Sequence, residues 1–406
     1  MKILYFHQHF KTPQQGGGTR SYEFARKLME RGHSVTMVCG GTFLFDKNET
    51  QKIKRVDLDG IDTIQIRLPY SNKDGIFKRA IIFIKFAMGC INISKKEHHD
   101  LLFATSTPLT AGIPGIWQKW FGRRKRKFVF EVRDLWPELP KALGMKNPIF
   151  LTGMSLLEKW SYKYADGCIG LSPGICDGIK KRSPKGRLIT MIPNGCDLDL
   201  FVPGKRENLE LKGISAEDKV AVFTGAHGVA NGLDAILDMA QVLKQRGRED
   251  IKIAFIGDGK MKPHLQERAQ RENLHNCLFF NKIPKTELTK IVSSADIGLM
   301  VLKNVPAFYY GTSPNKFFDY ISSGLPIINN YLGWLADMIE ENNCGLVVNP
   351  DSPEEFADAL IKLADNPELR RKQGVNARAL AVKSFNREML ANQFVDFLET
   401  IYQLNK

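Results

Sequence analysis

MKILYFHQHFKTPQQGGGTRSYEFARKLMERGHSVTMVCG, residues 1–40, decides the fold. Lys2 to Phe6 is an apolar strand, and Gln14-Gln15-Gly16-Gly17-Gly18 follows after a short loop. From Ser21 to Arg31 the apolar residues Phe24, Ala25, Leu28 and Met29 recur at helical spacing until Gly32, and Ser34 to Cys39 reads as a second strand. Strand, glycine loop, helix and strand in that order open a parallel, Rossmann-like sheet. The run G-G-G-T-R lacks the G-x-G-x-x-G spacing of dinucleotide sites, which argues against a nicotinamide cofactor.

Outward from this unit the alternation continues. Strands are expected at Thr63 to Leu68, Leu101 to Ala104, Phe128 to Val132, Gly167 to Leu171 and Leu188 to Ile192, with a long helix from Ile76 to Ile93 and another from Pro108. Pro203 to Asp218 is polar and reads as a linker. The same grammar then restarts: strand Val220 to Phe223, glycine loop Gly225 to Gly228, helix Leu233 to Val242, and five further strands. Two αβ halves imply an α/β protein of two Rossmann-like domains facing a cleft, with boundaries at 1–200 and 201–385. The last helix, Asn386 to Gln403, has no strand after it and is free to pack elsewhere.

Composition narrows the function. With 43% hydrophobic and 25% charged residues the chain is that of a soluble globular protein. Its formal net charge of +14 calls for a polyanionic partner: nucleotide phosphates, anionic lipid or nucleic acid. No nucleic-acid motif supports the last of these. Seven cysteines without C-x-x-C spacing read as buried thiols of a reducing compartment. The N-terminus lacks a signal-peptide pattern, and the most apolar run, Phe77 to Ile93, is broken by Lys78, Arg79 and Lys85. That run can lie on a membrane but not span it.

A second stretch, Gly311 to Ile327, GTSPNKFFDYISSGLPI, carries the chemistry. Ser313 is read as a helix cap with Pro314 as the first helical residue, so that free N–H groups and a positive dipole end face a diphosphate. Lys316 adds charge to that turn, and Asp319, one turn further, can accept hydrogen bonds from paired sugar hydroxyls. The competing reading is an ordinary capped helix with Lys and Asp on its surface.

Eight segments, among them GGGTRSYEFARKLMERGHSVTMV from Gly16, FVFEVRDLWPE from Phe128, IPNGCDLDLF from Ile192, FTGAHGVANGLD from Phe223 and SPNKFFDYISSGLPI from Ser313, resemble in order those of glycosyltransferase family 4. These are retaining enzymes of the GT-B fold, and within them the chain looks like the WbuB-like branch of bacterial surface-polysaccharide (O-antigen and capsule) synthesis. The resemblance implies a UDP-sugar donor in the second domain, an acceptor domain at the N-terminus with helix 386–406 crossing back to it, and a lipid-linked or oligosaccharide acceptor. Lys78, Arg79 and the basic run Arg123 to Lys127, beside the apolar run Ile81 to Phe86, predict a cytoplasmic protein with peripheral contact on the inner membrane face; the alternative is a buried amphipathic helix with a solvated basic loop. No metal and no cofactor beyond the donor is expected. An N-acetylated deoxyhexose is the sugar this branch suggests.

Asp319 stands where the family's ribose-binding Glu is usual, but Gly311 replaces the first acid of the pair. The Arg and Lys that commonly hold the diphosphate align with Ala226 and Asn231. Its charge must therefore be met elsewhere: by Lys316, the helix start at Ser313 and Pro314, the Gly17-Gly18 backbone, Arg20, and the Gly225 loop with His227 and Asn231. Ile283 matches the backbone position that meets the nucleobase. At the family's His-Asp position stands Arg133-Asp134, which leaves Glu131, Asp134 and Glu138 as carboxylates to assist an acceptor and Arg133 to stabilise the leaving diphosphate. The alternative is that Arg133 and Asp134 only pair with each other. Asp197-Leu198-Asp199 is a D-x-D pattern read as non-metallic. A non-hydrolysing nucleotide-sugar epimerase and a catalytically silent GT-B scaffold remain open as rival functions.

Overall fold

The computed structural model describes residues 1–15, 17–46, 48–71, 74–121, 126–142, 144–204 and 211–404. Gly16, residues 123–125 of the basic run before Phe128, and residues 205–210 of the linker lie outside the described residues.

One sheet contains β1 (Lys2–Phe6), β2 (Ser34–Gly41), β3 (Ile53–Leu58), β4 (Ile61–Arg67), β5 (Leu101–Thr105), β6 (Lys127–Val132), β7 (Gly167–Gly170) and β8 (Leu188–Met191). Their spatial order is β3-β4-β2-β1-β5-β6-β7-β8, parallel throughout except for the β3–β4 hairpin. Strand β3 was not expected from sequence; it is an edge strand whose residues are exposed or only half-buried, so it lacks the apolar run of its neighbours. Between these strands lie α1 (Arg20–Glu30), α2 (Ile76–Lys96), α3 (Ile113–Trp120), α4 (Glu138–Ala142), α5 (Pro148–Tyr164) and α6 (Pro173–Arg182).

The other sheet, all parallel, has the order β11-β10-β9-β12-β13-β14. Its strands are β9 (Lys219–Thr224), β10 (Ile251–Ile256), β11 (Cys277–Phe280), β12 (Ile297–Met300), β13 (Ile327–Asn329) and β14 (Gly345–Val347). With it go α7 (Asp234–Gln245), α8 (Lys262–Arg271), α9 (Lys285–Ser294), α10 (Pro306–Tyr309) and α11 (Asn315–Ser322). They are followed by α12 (Trp334–Glu341), α13 (Pro353–Asp365), α14 (Pro367–Ser384) and α15 (Arg387–Gln403). Strand β1 is flanked by β2 and β5, and β9 by β10 and β12. At both places the winding reverses, and loops diverge at the strands' carboxyl ends to leave a crevice.

The last helix does not stay with the second sheet. Leu390, Phe394, Leu398 and Ile401 of α15 join Ile3, Tyr5, Phe24 and Leu28 in one buried cluster, with the Phe24 and Phe394 rings stacked 4.4 Å apart. The start of α15 is tied to the connection between the sheets. Arg387 donates to the Gly195 carbonyl at 2.8 Å and pairs with Asp197, which also pairs with Lys285 of α9. Burial pushes the Asp197 carboxyl up, but Arg387 and Lys285 more than offset this and leave it below the usual carboxylate range. Both partners of Asp197 are therefore cations of the chain. Among the described residues no three His, Cys, Asp or Glu side chains converge as a metal site, and the seven cysteines are buried free thiols.

Candidate active site

Helix α11 starts one residue later than the sequence suggests. Pro314 has the extended ψ of 132° and forms the N-cap without a side-chain cap, so Ser313 does not close the helix. Ser313 instead accepts at its hydroxyl from the Asn194 backbone N–H at 3.1 Å, and its carbonyl accepts from Asn194 Nδ2 at 2.6 Å. Every residue from Lys316 to Ser322 is buried, which removes the reading of a surface helix. Phe317, Phe318, Tyr320 and Ile321 belong to the second domain's core, and Tyr320 accepts from Thr224 N at 2.9 Å, pinning α11 beneath the end of β9.

Two charged side chains remain in this apolar helix. Lys316 donates to Asn231 Oδ1 at 3.0 Å and lies 4.0 Å from the centroid of the Phe223 ring; Asn231 in turn donates to the Ala226 carbonyl at 2.7 Å. Burial alone pulls the Lys316 ammonium down to about 7. Asp319 is pushed up to about 6, first by burial and further by Asp197, against the lowering pull of Lys285 and Arg387. The pair does not form a salt bridge. Each is 8% exposed, and such charges are costly to bury without a partner.

The glycine loop after β9 brings Gly225 against the Lys316 side chain. His227 does not line that loop as expected. Its ring is fully buried among Phe223, Phe255 and Phe279, neither ring nitrogen has a hydrogen-bond partner, and burial, then Lys262, pulls it down to about 4. The imidazole is thus a neutral part of the floor. Ile283 is half-buried against the second domain's core.

The first domain supplies the opposite wall. Gly17 and Gly18 are exposed, and a Cβ at Gly18 would lie 2.9 Å from Asn315 Nδ2, so this loop reaches the first turn of α11. Ser172 Oγ and Gly174 N both donate to the Tyr310 carbonyl, at 2.7 and 3.0 Å. Gly311, where the family's first acid is absent, has no room for a side chain: a Cβ would meet the Ala307 carbonyl at 2.5 Å.

Arg20 and Glu131 leave the set of ligand-facing residues. Arg20 is 2% exposed; its Nη2 donates to Glu131 Oε2 at 2.7 Å and to the Ile192 carbonyl at 2.7 Å, while Nη1 reaches the Pro193 carbonyl. Glu131 is fully buried and also accepts from Thr105 Oγ1 at 2.7 Å. The two charges close each other inside the first domain, so neither is available to donor or acceptor. Glu131→Ala should therefore cost about 3–5 kcal/mol of stability by stranding the guanidinium. Urea unfolding would show it; a variant that keeps wild-type stability and loses only turnover would restore Glu131 as a catalytic carboxylate.

Arg133 and Asp134 stay at the crevice. Asp134 accepts from Thr107 Oγ1 at 3.2 Å, and burial raises its carboxyl pKa against the pull of Arg133 and Thr107. Arg133 is held by its backbone N–H, which donates to Ser106 Oγ at 2.8 Å. Its half-buried guanidinium has no hydrogen-bond or ion-pair partner among the described residues, so the two residues do not merely pair with each other. Sequence reasoning missed His7, Gln8 and His9, which follow β1 at the same crevice. His9 is pulled down to about 4 by burial, Arg133, Lys11 and Arg79, and His7 is lowered by burial, Arg133 and His9, so both are neutral at pH 7. Both polar atoms of the Gln8 side chain are buried without partners. The signal was available: polar residues just beyond the first parallel strand of a doubly wound sheet.

Two such sheets, with charged groups gathered at both switch points, form a two-domain crevice of the kind that binds an anionic ligand. A Glycosyltransferase Family 4 model matches residues 15–200 and a Glycosyl transferases group 1 model matches residues 205–380, so the chain belongs to the family 4 glycosyltransferases of the GT-B fold. The probable glycosyltransferase WbjE of Pseudomonas aeruginosa is 23% identical over 320 residues, 75% of this chain and 76% of WbjE. The N-acetyl-alpha-D-glucosaminyl L-malate synthase of Bacillus anthracis is 23% identical over 395 residues, 95% of this chain and 93% of its own. Against the D-inositol 3-phosphate glycosyltransferase of Corynebacterium glutamicum, 27% identical over 237 residues, the match spans about half of either chain, 51% of this one and 53% of that one. Among solved structures, the sucrose-phosphate synthase of Thermosynechococcus elongatus superposes with a TM-score of 0.78 at 19% identity, covering 99% of both chains. Anabaena HepE in complex with UDP gives 0.71 at 16% identity, over 98% of this chain and 100% of that one.

Proposed function

We propose that the chain is a retaining glycosyltransferase that moves a sugar from a UDP-sugar to a lipid-linked or oligosaccharide acceptor. Residues 1–200 with α15 take the acceptor and residues 201–385 the donor. The observation that carries this reading is the pair of buried, mutually unpaired charges Lys316 and Asp319 at the switch point of the second sheet. Asp319 is suited to accept both ribose hydroxyls, and Lys316 with the Gly225 loop to meet the diphosphate. UDP bound to HepE, of the same fold, supports the choice of nucleotide. The WbuB-like branch and its N-acetylated deoxyhexose remain part of the proposal.

In the reaction the bond between the anomeric carbon and the diphosphate oxygen breaks, and one to the acceptor oxygen forms on the same face. The acceptor proton passes to the leaving diphosphate. Arg133, whose guanidinium has no ion-pair partner among the described residues, stabilises the charge that develops there. Asp134 orients the acceptor hydroxyl. A silent scaffold is the second reading, favoured by the steric closure at Gly311. It predicts no UDP binding by calorimetry, whereas a transferase binds UDP and releases it from UDP-sugar when acceptor is present.

Lys316 supplies a pH test. Its pKa near 7 in the free protein rises once a diphosphate sits beside it, so binding takes up a proton above pH 7 and none below. UDP affinity should accordingly fall as pH rises past 7, by at most about tenfold per unit. Calorimetry in two buffers of unequal ionisation heat measures the uptake directly. In Lys316→Met the uptake should vanish and affinity at pH 7 drop about tenfold or more; unchanged uptake would move the diphosphate away from Lys316.

A further inference from the structure

Helix α2 exposes Phe77 (74%), Ile81, Ile84 and Met88, residues spaced so that they form one stripe along its outer side. The opposite stripe, Ile82, Phe86 and Cys90, is buried under the first sheet. The exposed stripe is not isolated. Phe77 meets Phe150 of α5 with ring centroids 6.2 Å apart, and Trp120 at the end of α3 meets Trp160 of α5 at 5.5 Å. Ile149 of α5 is 81% exposed, and Trp120 and Trp160 both remain more than 40% exposed. Three neighbouring helices thus present one apolar, aromatic face far beyond the scattered exposure of an ordinary surface.

The three helices of this face carry mostly cations, of which Lys78 pairs with Asp74 and Lys119 with Asp166. Five lysines and arginines lie on α2, one on α3 and two on α5, and the only acid on the three helices, Glu158, is fully buried beside Arg182. Apolar and tryptophan side chains ringed by cations are the composition of a surface that sinks into a bilayer interface. Beside the face, a groove of about 290 Å³ opens between α4 and α5, lined by Pro137, Lys141, Leu151, Thr152, Ser155 and Leu156. Leu156 belongs to both groove and face, and Pro137 is three residues from Asp134.

We infer that the α2–α3–α5 face docks on an anionic lipid bilayer, and that the groove between α4 and α5 leads the apolar end of a membrane-borne acceptor towards Asp134. This deepens the lipid-linked reading of the acceptor and rests on it only for the use of the groove. No described helix is long and apolar enough to cross a membrane, so the attachment is peripheral where the described residues are concerned.

The test is flotation of the full chain with vesicles of phosphatidylglycerol and phosphatidylcholine, or of phosphatidylcholine alone. Binding is expected to the first and not the second, with tryptophan emission quenched by brominated lipid. Ile81→Glu with Ile84→Glu should abolish flotation, and Lys85→Gln with Lys159→Gln should weaken it about fivefold per lysine. Both double variants should bind UDP as the wild type does, which separates a failure of docking from a failure of the transferase reading. Absence of binding to anionic vesicles, or binding that survives Ile81→Glu with Ile84→Glu, overturns the inference. So does lipid-free dimerisation that these two substitutions remove, because the face then belongs to a second copy. Ser155→Trp, which fills the groove, should raise KM for a lipid-linked acceptor and leave flotation and UDP affinity unchanged; an unaltered KM overturns the role of the groove.

Discussion

Replacing Asp319 with alanine should reduce UDP affinity about ten- to hundredfold, the range expected for losing hydrogen bonds to an ionised carboxylate. The effect follows from position: the carboxylate is buried on α11, one turn after a helix start that touches both domains, and it has no salt bridge among the described residues. Asp319→Asn should lose nearly as much, since an amide oxygen accepts without the charge. Acidity should mimic the mutation. With its pKa raised to about 6, the carboxyl takes up a proton as pH falls through 6, and UDP affinity should fall with it. The free protein responds in the opposite sense. A folded pKa above the unfolded one favours the folded state at low pH, so this group's contribution to stability is lost as pH rises through about 6. Calorimetric titration with UDP at pH 5 and pH 7.5 checks the first statement, and full affinity in Asp319→Ala would remove α11 from the donor site.

Arg133→Gln should lower kcat about a hundredfold or more while changing donor KM little. The side chain projects from the end of β6 in the first domain, whereas the ribose and diphosphate groups invoked above belong to the second. A cation supplied across the cleft acts most strongly on charge that develops as the glycosidic bond breaks, which separates its effect on rate from that on binding. Lysine at the same position should recover part of the rate, since it restores the charge without the planar fork. Equal losses in kcat and in UDP affinity would make Arg133 a binding residue instead.

The fold was legible because strand, glycine loop and helix recur in both halves, and each parallel strand is a short apolar run with turn residues after it. Edge strand β3 was invisible because half-exposed strands carry no such run. The site was legible only in part. Lys316 and Asp319 stand out in a helix otherwise apolar towards the core, and Gly18 marks a close approach to Asn315. Arg20 and Glu131 misled because a buried ion pair and a ligand-facing pair look alike in sequence; the two lie 111 positions apart, and only the fold brings them together and buries them. His227 misled for a related reason, since a loop assigned to phosphate turns its one polar ring inwards among three phenylalanines. Gly311 was readable as a missing acid, but only the approach of the Ala307 carbonyl shows why none fits.

The return of α15 to the first sheet has a consequence for biosynthesis. Ile3, Tyr5 and Phe24 leave the ribosome before the second domain, yet the side chains that cover them, Leu390, Phe394 and Leu398, leave it only after that domain. The first domain therefore cannot finish its core during translation in the usual order, one domain after another. It waits, with one side of β1 and α1 uncovered, while the whole second domain is made, and closes only when α15 returns to it.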